Sequence, residues 1–189
     1  MRNYALFLIA LLFMVGCASN NPVATQQQRE EAQTFVTTKS FKIDSEWAYP
    51  RVTSAMISLQ NAGLFPNNST ASMIDISAHD NYFIMDKDTV DAKLPYYGER
   101  QFGAAYDRTN GGGIEFKGVP EDVVTTKTKN GYKINFRIRG SNDRTETYRV
   151  NILVYDNLSA KINIFSSHRL TIEYRGKVTD IPNEEGEES

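Results

Sequence analysis

The chain lacks most of the residues that metal and redox chemistry require. It has one cysteine, Cys17, and two histidines, His79 and His168. A single thiol forms no internal disulfide, so the fold rests on burial alone. Two imidazoles and no spare thiol leave a zinc site without convergent ligands. Charge of one sign is also missing in bulk: 21 Lys and Arg face 23 Asp and Glu, for a net charge of −2. That balance carries no basic footprint for nucleic acid, and no such partner is expected. No Gly-Lys-Ser/Thr follows the triple glycine at 111–113, no Gly-x-Ser-x-Gly elbow occurs, and no Asp-x-Asp-x-Asp loop occurs. These absences remove the phosphate-loop, hydrolase-elbow and calcium-loop readings. No apolar run reaches the ~20 residues that cross a bilayer. No cofactor is implied, and the chain reads as a non-enzyme.

What is there begins at the start. Arg2 gives a positive first segment, residues 4–15 carry no charge, and Gly16-Cys17 follows. Twelve apolar residues suit the core of an export signal and are too few for a permanent span. Met14-Val15-Gly16-Cys17 resembles a lipobox, with Met14 in place of the usual leucine; the resemblance implies cleavage before Cys17 and acylation of its thiol. An ordinary export signal with a coincidental cysteine is the plainer alternative. At ~0.8 kcal/mol per buried methylene, two or three acyl chains would anchor the protein to the membrane nearly permanently. Residues 18–33 are polar and read as a tether running into a short helix, with Thr25 and Gln28 at capping-box spacing and the helix expected over 26–34. The remaining length is enough for one self-sufficient domain, placed at 34–178, followed by an acidic, solvated tail at 179–189.

The domain reads as mainly β. Phe41 and Ile43, and in the same phase Ser45, alternate with Lys42, Asp44 and Glu46 in a strand expected over 40–47. Residues 53–65 fit a helix closed by Gly63, with a strand as the alternative. The Asp86-Lys87-Asp88 cluster separates two strands, and Asn130-Gly131 is the pair favoured in a two-residue type I′ turn. After it Tyr132, Ile134, Phe136 and Ile138 alternate with Lys133, Asn135, Arg137 and Arg139. The same period recurs through Tyr148 to Val154, Leu158 to Ile164 and Leu170 to Val178, which predicts an antiparallel meander with one apolar face. Covering that face calls for a curled, barrel-like sheet.

Several segments resemble one family. Leu94-Pro95-Tyr96-Tyr97-Gly98 and Gly111-Gly112-Gly113-Ile114-Glu115-Phe116 are similar to the core signature of a lipoprotein family of Bacteroides-type bacteria, domain of unknown function 4251. Trp47-Ala48-Tyr49-Pro50, Asp88-Thr89-Val90 and Ser166-Ser167-His168-Arg169 resemble it too. The similarity runs over about 34–178, with 53–72 the divergent part. It implies an envelope lipoprotein of antiparallel, lipocalin-like architecture with no established activity. In such bacteria acidic residues after the lipidated cysteine go with surface export; 18–22 contain none, so an outer-membrane protein facing the periplasm is expected.

Candidate site residues are Cys17 for lipidation and Trp47, Tyr49, Tyr96, Tyr97, Tyr106, His168 and Arg169 for binding. Rings beside loops can line a pocket or stack on a sugar, and the bland alternative is a wet aromatic rim on the core. Asp86 and Asp88 with Asp75, Asp80 and Asp91 suggest calcium only weakly, since acidic turn residues usually cap backbone groups. Glu115, Glu121 and Asp122 could supply a carboxylate pair for glycoside hydrolysis, a matter of spatial separation, and solvated charges near turns are the plainer reading. Lys133, Arg137 and Arg139 form a basic stripe for anionic headgroups or polysaccharide, or a plain solvent face paired with Glu146 or Glu173. The expected partners are the membrane through the lipid and either a small apolar or amphiphilic ligand or an envelope protein. The leading function is a lipid-anchored, non-enzymatic binding or accessory module holding an apolar or amphiphilic ligand in the mouth of the barrel-like sheet; a scaffold protein, or a glycan-binding or carbohydrate-active one, is the alternative.

Overall fold

A computed structural model describes residues 24–66, 68–102 and 112–182. Helix α1 (Gln26–Thr38) starts at Thr25, whose hydroxyl accepts from the Gln28 N–H while the Gln28 side chain accepts from the Thr25 N–H. The capping box is therefore formed, and the helix runs four residues past its expected end. Lys39 closes it in the left-handed region, and β1 (Ser40–Pro50) begins at once. The order continues with α2 (Ser54–Asn61), β2 (Ile74–Asp75), β3 (Tyr82–Asp86), β4 (Thr89–Leu94), β5 (Ile114–Gly118), β6 (Glu121–Thr128), β7 (Gly131–Arg139), β8 (Thr147–Tyr155), β9 (Ser159–Ser166) and β10 (Ile172–Thr179).

All strand pairings are antiparallel, in the spatial order β5-β4-β3-β1-β10-β9-β8-β7-β6, with β2 beside the second half of β1. The expected meander is β7 to β10, and β1 lies along β10 over most of its length. The sheet curls into a half-barrel. Phe83 of β3 stacks on Phe136 of β7 at 6.1 Å although five steps of the sheet separate those strands, and Phe116 of β5 meets Phe136 and Tyr148 at 6.3 and 5.6 Å. Such contacts need the two wings to face each other. Helix α1 touches β1, β7 and β8, which are not all neighbours, so it lies across the concave side and adds Ala32, Phe35 and Val36 to the core. The interior is filled by the chain's own side chains: Phe41, Phe83, Phe116, Phe136, Tyr148 and Tyr174 are each at most 2% exposed.

Two expectations are corrected and an open one is decided. The first strand continues to Pro50 because the β1–β10 register shifts between Ser45 and Trp47, a bulge that changes the alternation. Ser45 faces in as read, yet so does Ala48, while Trp47 and Tyr49 face out. The turn near 130 sits one residue early: Thr128 pairs with Gly131, leaving Lys129 and Asn130 as the loop, neither with positive φ. Gly131 is required for another reason, since a Cβ there would lie 2.1 Å from the Val154 carbonyl oxygen. The 53–65 segment is helical, as α2 with Thr53 as its N-cap, and Ala62 is the C-cap, with Gly63 in the left-handed region just beyond. The acidic residues from 183, the export signal and the lipobox lie outside the described residues.

Candidate functional site

One end of the half-barrel carries a cluster of charge built around a buried ion pair. Glu146, just before β8, is fully buried. The β8–β9 register sets Tyr148 opposite Ser166, so the chain entering β8 meets the chain leaving β9. Arg169 grips Glu146 with two bonds, Nε to Oε1 at 2.9 Å and Nη2 to Oε2 at 3.2 Å, and Ser166 Oγ donates to Oε1 at 2.5 Å. Arg100 reaches Oε2 at 3.5 Å and Asp143 at 3.8 Å, and the Arg100 backbone bridges that of Arg169. The second terminal nitrogen of Arg169 donates to the Gly112 carbonyl, and its guanidinium lies 5.1 Å over the Tyr96 ring. Tyr96 donates to the carbonyls of Glu99 and Leu170, and Tyr174 to that of Pro95. Burial raises the phenol pKa of Tyr148 far above its ordinary range, with the Glu146 carboxylate adding to the shift. Burial also raises Tyr96, opposed by the Arg169 charge, and Tyr97.

The cluster is satisfied on nearly every side, which is what a structural ion pair requires. Arg100 Nε is its one buried atom without a partner. His168 stands at the rim, with Nδ1 2.8 Å from Ser167 Oγ and its ring edge-on to Phe102. Among the described residues no hydrogen bond is made by its other ring nitrogen. Glu115 accepts from Asn142, and Asp122 pairs with Arg137, so neither joins a second carboxylate in these contacts. Among the described residues no three acidic, His or Cys side chains converge as metal ligands. Tyr106 and Cys17 lie outside the described residues.

The structure thus divides the candidates. Tyr96, His168 and Arg169 meet at the barrel end, with Tyr97 partly buried against the core. Trp47 and Tyr49 lie elsewhere, on the outer face of the sheet, where Trp47 pairs with Arg175 and Tyr49 with Glu173. The Arg175 guanidinium sits 4.3 Å over the Tyr49 ring. That face is the basic one: β7 contributes Lys133, Arg137 and Arg139, β8 contributes Arg149, β9 Lys161, and β10 Arg175 and Lys177. Glu173 is the lone acidic residue facing outward on those four strands, held between Arg175 at 2.7 Å and Lys161 at 3.3 Å. The stripe does not pair with Glu146, which faces the other way, nor with Glu173. Sequence reading missed Glu146 as the centre of the buried cluster; the register of the last two hairpins is the signal that would have found it.

The model of a family described as a domain of unknown function, DUF4251, matches residues 24–178. The chain belongs to the DUF4251 family. The match begins ahead of α1, in keeping with a helix that is part of the packed domain. A crystal structure of a DUF4251 family protein from Bacteroides eggerthii DSM 20697, at 1.95 Å resolution, is similar with a TM-score of 0.52 and 13% identity, over 82% of this chain and 88% of that one. At that identity the likeness concerns the fold. No curated protein matches the chain. For a DUF4251 chain the curled sheet is therefore expected, and the family itself supplies no activity.

Proposed function

We propose that this protein is a lipid-anchored, non-enzymatic binding or accessory module of the cell envelope that works through its outer surfaces. The lipobox-like Met14 to Cys17 supports the anchor, and the absence of acidic residues in 18–22 supports an outer-membrane position facing the periplasm. The observation that carries the reading is the filled interior: interlocked rings occupy the concave side, α1 covers it, and the Glu146–Arg169 pair closes one end. A ligand, a scaffold partner or a glycan then meets the outside of the domain. For an apolar or amphiphilic ligand the supporting feature is the excursion between β1 and β2, which has no charged residue from 52 to 74 and exposes Val52, Ile57, Leu59 and Leu64.

Two measurements test this. Radiolabelled palmitate should enter the wild-type protein and not Cys17→Ser, with the label and the protein together in the outer-membrane fraction. An unlabelled wild type removes the anchor. Native mass spectrometry of the purified protein should give the mass of the chain and its acyl groups; a further stoichiometric small molecule retained through Leu64→Ser and Ile57→Ser would place a ligand inside and overturn the surface reading.

A further inference from the structure

The net charge of the chain is −2, yet the outward side of β7 to β10 presents seven cations against one carboxylate, Glu173, with Glu46 of β1 and Asp122 of β6 pairing Lys177 and Arg137 from the neighbouring strands. A protein that segregates charge this way has a face complementary to an anionic partner. Among the described residues Lys133, Arg139 and Arg149 have no carboxylate in ion-pair reach, so their charge is not spent within the chain.

The register arranges this face in rows that cross the strands. In the central row Tyr49 is followed by Glu173, Asn163, Asn151 and Asn135 on successive strands. Three side-chain amides stand in line, and Asn151 donates to Asn135 at 2.7 Å. One flanking row runs through Trp47, Arg175, Lys161, Leu153 and Lys133, the other through Phe165, Arg149 and Arg137. Two of the arginines lie over aromatic rings, Arg175 over Tyr49 at 4.3 Å and Arg149 over Phe165 at 4.8 Å. A guanidinium held over a ring loses less entropy on binding, and Arg175 is held further by its Nε donating to Glu173 at 2.7 Å. Trp47 with Tyr155, Lys161 and Arg175 lines a shallow depression at one end. At ~4.8 Å between strands, β1 to β7 spans ~19 Å, an extended track.

We propose that this face binds an anionic polysaccharide, lying along the asparagine row with its acidic groups on the flanking cations. The inference rests on the surface-acting reading above. Amides both donate and accept, which suits hydroxyl groups; rings at the end of the row suit the flat faces of sugars; cations on both sides suit carboxylates. A bilayer is the poorer match. The outside of a curled sheet is convex and meets a plane only along a line, and the large exposed apolar residues other than Val124 lie away from this face.

The full-length protein in a neutral detergent is tested on immobilised polygalacturonate, a linear polyuronate, with dextran and poly-L-glutamate as controls. The expected result is saturable binding to polygalacturonate that weakens at least tenfold in Arg149→Gln/Arg175→Gln and at least threefold in Asn151→Ala/Asn163→Ala. Dextran should not bind, and poly-L-glutamate should bind at least tenfold more weakly. These side chains face solvent, and an unchanged thermal melt checks that each variant is folded. No binding to polygalacturonate overturns the proposal. Equal binding to poly-L-glutamate overturns it as simple ion exchange. Retention on phosphatidylglycerol mixed micelles with the same variant dependence, and none on the polymer, overturns it in favour of a headgroup surface. Each negative leaves palmitate labelling and the native mass unchanged, so a failed ligand class is distinguishable from a failed surface module.

Discussion

Glu146 is the residue on which most of the polar structure converges. Arg169 and Ser166 bond it directly, and Arg100 lies within 3.5 Å of it with Asp143 as its second carboxylate. Removing one partner of a buried ion pair strands the other, at a cost of about 3–5 kcal/mol. Arg169→Met and Glu146→Gln should each lower stability by about that amount, read as a fall in urea midpoint at constant slope. The apolar pair Glu146→Leu/Arg169→Met should cost less than the two single changes together, because neither buried charge of the pair is stranded and Arg100 keeps Asp143. Equality with the sum would mean that the two side chains act separately. Gly176 is the backbone counterpart: an added Cβ would stand 1.9 Å from the Asp44 carbonyl oxygen of β1. Gly176→Ala should therefore destabilise by about 1–3 kcal/mol or more, with the β1–β10 amides losing hydrogen-exchange protection first. Arg169 was legible in the sequence as a polar residue of note. Its partner was not, because a separation of 23 residues becomes a contact only through strand register.

Elements were read more fully than contacts. Alternation marked β7 to β10 since one face is buried and the other wet, and a period of two survives wherever pairing is regular. The bulge in β1 left no such mark. It turns Trp47 and Tyr49 outward, and it is supported from outside the strand: Asn81, buried where β3 and β2 share the same edge of β1, accepts from the Ser45 N–H and donates to the carbonyls of Ser45, Ile76 and His79. Helix α1 was legible at its start through the Thr25 and Gln28 pair. Its extent was not, because Phe35 and Val36 are helical for the core they enter rather than for their own propensity. Thr25→Ala should cost about 1 kcal/mol as a lost cap, whereas Phe35→Ala should cost about 3–5 kcal/mol as a lost core side chain. Comparable losses by chemical denaturation would show that α1 is held by its cap rather than by the sheet.

At the scale of the molecule the filled interior has a pH signature. Tyr148 and Tyr174 keep their protons in the folded state well above the ordinary phenol value, chiefly through burial. The unfolded chain releases those protons near pH 10. Stability from this source is thus whole below about pH 10 and is lost as pH rises beyond it, where the native state holds more protons than the unfolded one. Urea midpoints should fall between about pH 10 and 11.5, and more gently in Tyr148→Phe. An unchanged slope in that variant would show that its phenol ionises freely in the fold.

Alternation, turn residues and composition by themselves determined a mainly β, disulfide-free domain, a capped first helix, the meander, and an outward row of basic residues. These are properties of single strands and short neighbourhoods, where chemistry and spacing suffice. The tertiary structure alone decided that the sheet curls until Phe83 meets Phe136, that Glu146 is sealed against Arg169, and that seven cations from four strands share one face with three aligned amides. Each of these depends on which strands lie side by side and in what register. Pairing at long range is chosen by the packing of the whole core, so no local pattern records it.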